Sequence, residues 1–271
     1  MLLLVDLDGV VYRGAQAVPG VAEVLNRRAA AGDRIVYVTN NSRWHRDEYR
    51  ARLLDHGVPL ASDGADSIVT AARAAAVLLS ERSPRPGTAM VFGGPGLARE
   101  LREVGLRTVP PTPRGLAAAP DVLAVGVDFR LTYDRLSIAA EAVRRGALFV
   151  ATNRDQTYPA ADGLKAGAGS MVAAVAAAVG REPDVVIGKP ETLLFETALE
   201  LAGVPASEAV VIGDGLATDI RAANAVGARS VLMLTGVTTR GDLERAAAGA
   251  QPTAVAHDAA ELEQALRDLS S

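Results

Sequence analysis

An apolar run, Leu2-Leu3-Leu4-Val5, ends in two carboxylates, Asp6 and Asp8, with Gly9 behind them. In extended backbone, side chains two apart point to the same side, so Asp6 and Asp8 would share one small volume at a strand end. Like charges that close repel unless a proton or a cation mediates, and the pair invites a divalent metal. On its own the pair reads more readily as an ordinary polar loop after a strand. Three further segments change the balance: Thr39-Asn40-Asn41-Ser42 after Val36-Tyr37-Val38, Gly188-Lys189-Pro190 after Val185-Val186-Ile187, and Asp214, with Thr218 and Asp219 beyond it, after Val210-Val211-Ile212-Gly213. Each follows an apolar run.

The set suits phosphoryl transfer. A phosphate monoester is dianionic and repels an attacking carboxylate. Mg²⁺ and a lysine would neutralise that charge, while a hydroxyl and amide N–H groups orient the phosphoryl oxygens. The leaving alkoxide then needs a proton. Asp8 can supply it if it starts protonated, and can afterwards activate water to hydrolyse the acyl-phosphate.

These residues lie some two hundred positions apart, so a fold must gather them. Apolar runs alternate with segments of helical spacing: a strand at 2–6, a helix through Val21, Val24, Leu25 and Ala29, a strand at 34–38, then helices at 48–56 and 67–79. Such βαβ succession predicts an α/β fold, a Rossmann-like parallel-sheet core with helices on both faces. Ligands then bind beyond the carboxyl ends of the strands, where the four polar segments fall. Ser83-Pro84-Arg85-Pro86-Gly87 reads as a linker, and Arg181-Glu182-Pro183-Asp184 as a second crossing. Between them the βα pattern is complete in itself. The expected division is a core of residues 1–82 and 183–271 with an inserted α/β domain at 83–182, and Val185-Val186-Ile187 is expected as a core strand.

The chain has 271 residues, no cysteine and a net charge of −4. That excludes a disulfide framework and thiol chemistry, and argues against a nucleic acid polymer or an anionic membrane as partner. Asp6 interrupts the apolar N-terminus too early for a signal peptide, and no alanine-rich stretch reaches spanning length. The expectation is a cytoplasmic protein acting on a small molecule, with a homodimer left open.

The segments quoted resemble the haloacid dehalogenase (HAD) superfamily of phosphohydrolases over nearly the whole chain. Asp6-Leu7-Asp8-Gly9-Val10 is similar to its first motif, Thr39 to its second, Lys189 to its third, and Gly213-Asp214 through Thr218-Asp219 to its fourth. Thr39-Asn40-Asn41-Ser42, Ala151-Thr152-Asn153-Arg154-Asp155 with Tyr158-Pro159, Gly167-Ala168-Gly169-Ser170 and Ile187-Gly188-Lys189-Pro190-Glu191 resemble its class IIA, NagD-like branch. The resemblance implies Asp6 as nucleophile and metal ligand, and Asp8 as general acid and base with its backbone carbonyl on Mg²⁺. It implies Thr39 and Lys189 on the phosphoryl group, Asn40 and Asn41 as substrate contacts, Asp214 as the remaining metal ligand, and Asp219 in support behind them. The inserted domain would be a C2-type cap closing over the site, with Arg130, Arg154 and Tyr158 as candidates for the leaving group. Gly215 and Ala217 depart from the family, which often has Arg or Asn at the first position and an acid at the second. That departure puts the anchoring of the loop in question.

Other features weigh less. Gly93-Gly94-Pro95-Gly96 lacks the spacing of a phosphate-binding turn and is expected to be structural. His45, His56 and His257 are scattered and receive no role, and Trp44 is expected to pack. The expected activity is Mg²⁺-dependent hydrolysis of a small phosphomonoester: glycerol phosphate, a sugar phosphate or a nucleoside monophosphate. A phosphomutase, or a protein that binds phosphometabolites without turning them over, are the alternatives. A receiver domain would be shorter and carry its acceptor on a later strand, and a dehalogenase would not need Asp8.

Overall fold

The computed structural model describes residues 1–61, 67–160 and 163–270. The chain divides into two compact units. The first comprises Met1–Thr39, Asp47–Val69 and Lys189–Ser271; the second comprises Asn40–Arg46 and Thr70–Gly188.

The first unit holds a six-stranded sheet in the spatial order Ala254–Ala256, Arg229–Met233, Ala209–Gly213, Leu2–Asp6, Arg34–Thr39, Ile68–Thr70. The pairings from the first of these through Arg34–Thr39 are parallel. Leu2 to Val5 are at most 1 % exposed, as expected of a strand covered on both faces, which reads as a continuous apolar run rather than an alternation. From Leu2–Asp6 the chain winds to one side through Arg34–Thr39, and it later returns on the other side as Ala209–Gly213. The strand order therefore reverses at Leu2–Asp6, and such a switch point opens a crevice at the carboxyl ends. Val5, Leu7, Tyr37, Ile212, Met233 and Leu262 belong to the core of this unit.

The second unit has its own parallel sheet of five strands, in the order Val185–Val186, Leu148–Ala151, Val122–Val125, Thr88–Phe92, Arg107–Val109. Its core includes Phe92, Leu123, Phe149, Val172 and Val175. Thr157–Ala160 and Gly163–Ala166 pair as an antiparallel ribbon. No helix among the described residues is long and apolar enough to cross a membrane.

Two expectations are corrected. Val185–Val186 is not a core strand: Val185 and Val186 pair with Val150 and Ala151, and Ile187 N–H donates to the Ala151 carbonyl at 3.0 Å. Residues 67–79 are not one helix. Ile68–Thr70 is a strand, its residues β-branched and buried, and the helix runs over Ala71–Glu81 with the Thr70 hydroxyl accepting from Arg73 N–H as its cap. That helix packs against Pro95–Glu103. The second unit thus begins at Thr70, ahead of the proline-rich segment at 83–87.

Candidate active site

The parallel register places the site residues. Asp6 is the last residue of its strand and pairs with Val38, so Thr39 ends the adjacent strand one residue further on. On the other side Val5 pairs with Ile212, which brings Asp214 to the same edge. Lys189 is buried and ties the set together. Its ammonium donates to Asp6 Oδ1 at 2.5 Å and to Asp219 Oδ1 at 2.6 Å. Asp6, Asp214 and Asp219 each offer an oxygen within 4.8 Å of the others, and all three are buried. Asp8, two residues past the strand, contributes no oxygen to that group; it is half-buried in the turn where Gly9, Val10, Val11 and Tyr12 fold back on one another.

The electrostatics follow from burial. Burial by itself would favour the neutral amine of Lys189, but Asp219 and Asp6 outweigh it and hold the ammonium well above the ordinary lysine range. Burial raises Asp6 well above the usual carboxylate range against the pull of Lys189, with Asp219 and Asp214 adding to the rise. Burial, and then Asp219, push Asp214 up to about 6. Burial raises Asp8 too, opposed by Arg52 and Lys189. Burial is thus the first cause of the rise at Asp6, Asp8 and Asp214, and the Lys189 ammonium works against it at each of them. An all-oxygen donor set such as that of Asp6, Asp214 and Asp219, at the end of a sheet, fits Mg²⁺.

The fourth segment is well anchored despite Gly215 and Ala217. Leu216–Ile220 forms a single π-helical turn, a local widening often found at functional sites. It points Asp219 inward. Asp219 Oδ2 accepts from Gly215 N–H and from the Thr218 hydroxyl, each at 3.1 Å. Leu216 N–H donates to Thr238 Oγ1 at 2.9 Å, and Val237 N–H donates to Asp214 Oδ2 at 2.7 Å. A side chain at 215 would collide with the Thr218 hydroxyl, so glycine is required by this arrangement.

Asn40 and Asn41 belong to the second unit. The Asn40 amide donates to the Asp155 carboxylate, and Asn41 Oδ1 accepts from Arg43 N–H at 2.9 Å. The Gly93-Gly94-Pro95-Gly96 segment lies under the same stretch: Gly96 N–H donates to the Arg43 carbonyl at 2.8 Å, and a Cβ on Gly96 would overlap the Trp44 backbone. Trp44 packs beneath the Arg43 guanidinium, which also covers Phe129. Arg154 pairs with Glu182 at 2.9 Å, and the Tyr158 ring stands edge-on to Phe129. Sequence spacing gave no sign of one cluster: buried His45 sits 3.0 Å from Glu103 and 3.3 Å from Glu100.

A haloacid dehalogenase-like hydrolase family model matches residues 3–107, and a HAD-hydrolase-like model matches residues 186–262. Human chronophin is 38% identical over 263 residues, covering 94% of this chain and 88% of that protein. The chain belongs to the haloacid dehalogenase-like hydrolases. Among solved structures, a glycerol phosphate phosphatase from Mycobacterium tuberculosis in complex with magnesium superposes on this HAD chain with a TM-score of 0.86 at 38% identity, over 97% of this chain and 76% of the other. NagD from E. coli gives 0.84 at 28% identity, over 96% of each. This HAD chain is of class IIA, and it is a phosphoric monoester hydrolase.

Proposed function

We infer that the chain is a Mg²⁺-dependent phosphatase that hydrolyses small phosphomonoesters through an aspartyl-phosphate on Asp6. The observation that carries this reading is the Lys189 ammonium bridging Asp6 and Asp219, with Asp214 beside them, at the switch point of a parallel sheet.

The first step is attack of an Asp6 oxygen on phosphorus. The bond from phosphorus to the ester oxygen breaks, and Asp8 gives that oxygen its proton. Burial raises the proton affinity of Asp8, which favours the protonated form this step needs. In the second step the Asp8 carboxylate takes a proton from water, and the resulting hydroxide displaces Asp6 from phosphorus to release inorganic phosphate. Thr39 and Lys189 hold the phosphoryl oxygens through both steps, and Asp219 fixes the lysine. Asp6, Asp214 and the Asp8 carbonyl would hold Mg²⁺, which would supply the positive charge that lets a carboxylate meet a dianion.

The name of the M. tuberculosis relative supports glycerol phosphate as the first substrate to test, ahead of sugar phosphates and nucleoside monophosphates. The test is phosphate release from p-nitrophenyl phosphate with and without Mg²⁺, followed by a panel of these metabolites. Release that is catalytic, Mg²⁺-dependent and lost in Asp6→Asn is the expected result. Isomerisation of a sugar phosphate without phosphate release would make the protein a phosphomutase instead.

A further inference from the structure

The chain crosses between its units at four peptide bonds: Thr39–Asn40, Arg46–Asp47, Val69–Thr70 and Gly188–Lys189. Two of these crossings are formed by Thr39 and Lys189, the residues assigned above to the phosphoryl group. Their neighbours across those bonds, Asn40 and Gly188, are held by one short stretch of the second unit. Asn153 Nδ2 donates to the Asn40 carbonyl at 2.7 Å. The Asn40 amide donates to both oxygens of Asp155, at 3.0 and 3.3 Å. Gly188 N–H donates to the Thr152 carbonyl at 2.9 Å. Asp155 N–H donates to Asn153 Oδ1 at 3.0 Å, which sets the carboxylate in place. Asn40 and Gly188 also meet directly: a Cβ on Gly188 would stand 2.6 Å from Asn40 Oδ1 and 2.8 Å from Asn153 Cβ.

We propose that Asp155 is a positioning residue for phosphoryl transfer: by holding the Asn40 amide it fixes, through the Thr39–Asn40 and Gly188–Lys189 peptide bonds, the spacing of the Thr39 hydroxyl and the Lys189 ammonium. The proposal rests on the reading of Thr39 and Lys189 given above. Asn40 is gripped at its carbonyl by Asn153 and at its side chain by Asp155. Removing the second grip loosens Asn40, which is peptide-bonded to Thr39. A small misplacement of a group that orients a reacting phosphoryl is costly in rate. A bond to an ionised acceptor is among the stronger ones, so its loss is felt.

Thr39 and Lys189 grip the part that all phosphomonoesters share, so the loss must be independent of the leaving group. Asp155→Ala is expected to lower kcat/KM by about tenfold, equally for glycerol phosphate, a sugar phosphate and p-nitrophenyl phosphate. The Ki for inorganic phosphate should rise in parallel. Asp155→Asn, nearly the same shape, should fall between the two and carries the test if the alanine variant does not fold. The double variant with Asn40→Ala should be no worse than Asn40→Ala alone. A lower Tm with unchanged phosphate Ki and unchanged kcat/KM per active molecule would overturn the proposal, as would a changed substrate ranking. A wild-type protein that releases no phosphate from any ester would sink the phosphatase reading itself. A fully active Asp155→Ala in a working phosphatase would sink only the role of Asp155.

Discussion

Two clusters of acids, one in each unit, have similar geometry and opposite character. Asp6, Asp214 and Asp219 in the first unit, and His45, Glu100 and Glu103 in the second, each bring three candidate ligand atoms within 4.8 Å of one another. In the second cluster the Arg46 guanidinium spans the two acids, with one nitrogen on Glu100 and the other on Glu103 at 2.7 Å, and Arg99 reaches Glu103 at 3.2 Å. Two carboxylates meet two guanidiniums, and the charge closes. In the first cluster three carboxylates face one ammonium; burial raises Asp214 there and Glu100 in the second cluster alike, so what differs is the number of cations. Proximity of acids therefore does not define a cation site; the uncompensated charge does. The origins differ too. Glu100 and Glu103 are neighbours on one helix, while the Asp6 cluster is assembled from strand ends far apart in sequence, as befits a site the whole fold is built to present.

The largest effect expected is at the nucleophile. Asp6→Asn should fold and lose measurable turnover, because an amide cannot form the acyl-phosphate. Phosphate release by protein checked by mass spectrometry for deamidation measures it, and retained activity would remove Asp6 from the role. Glu103→Gln in the other cluster should leave Mg²⁺ dependence unchanged.

Metal and pH sharpen the contrast next. Chelation should abolish turnover and Mg²⁺ restore it, while Ca²⁺, with longer and more numerous ligands, should not. A carboxylate must be ionised to hold a cation, so protons compete with Mg²⁺ as pH falls through the Asp214 value of about 6. The apparent Mg²⁺ Kd of the metal-free protein, measured by calorimetry, should rise as pH falls from 7 to 5, about tenfold per pH unit below the titration for a single proton. A flat Kd over that range would contradict the assignment of Asp214.

In the second unit a break should cost stability and leave metal affinity alone. Arg46→Met strands the buried Glu100 without its closest guanidinium and should lower unfolding free energy by about 2–3 kcal/mol. Adding Glu100→Leu should recover part of that loss, because an apolar pair does not need desolvated charge. Urea denaturation of the three variants tests it. A loss of Mg²⁺ affinity in Arg46→Met would show that the two clusters are not independent.

Much of this was legible in the sequence, for a definite reason. Leu2–Asp6 and Ala209–Gly213 are buried on both faces, so they read as unbroken apolar runs, and the carboxylates that end them stand out. What was not legible depends on pairing over distance. Val185–Val186 is a two-residue strand, too short to reveal which sheet it joins. Ile68–Thr70 merges into the alanine helix behind it, and only packing separates them. His45 meets Glu100 and Glu103 across some fifty residues. Asn40 reads as a substrate contact beside Thr39, and the spacing gave no sign that its amide also donates to Asp155, 115 residues away. Local spacing shows which residues gather at a strand end, but not which neighbour claims a given side chain.

The smallest predicted effect concerns Asp8, where the charge balance of the first unit can be tuned rather than broken. Burial raises the proton affinity of Asp8, and Arg52, followed by Lys189, holds it down. Arg52 is fixed in place: its guanidinium lies 3.7 Å from the centroid of the buried Tyr12 ring and donates to the Gly14 carbonyl. Arg52→Met keeps much of that cover over the ring while removing the charge. Burial then acts with less opposition, and the pKa of Asp8 rises further. As the acid of the first step Asp8 must be protonated, so kcat/KM falls as pH rises through its pKa. A higher pKa therefore moves the alkaline limb of the kcat/KM profile to higher pH, with little change at the plateau. The profile of the variant against wild type, taken with p-nitrophenyl phosphate and with an alkyl phosphate, measures the shift. The alkyl ester has the poorer leaving group and needs the proton more, so its limb should show the displacement more clearly. A limb that stays in place, or moves to lower pH, would mean that Asp8 is not the acid or that Arg52 does not act on it.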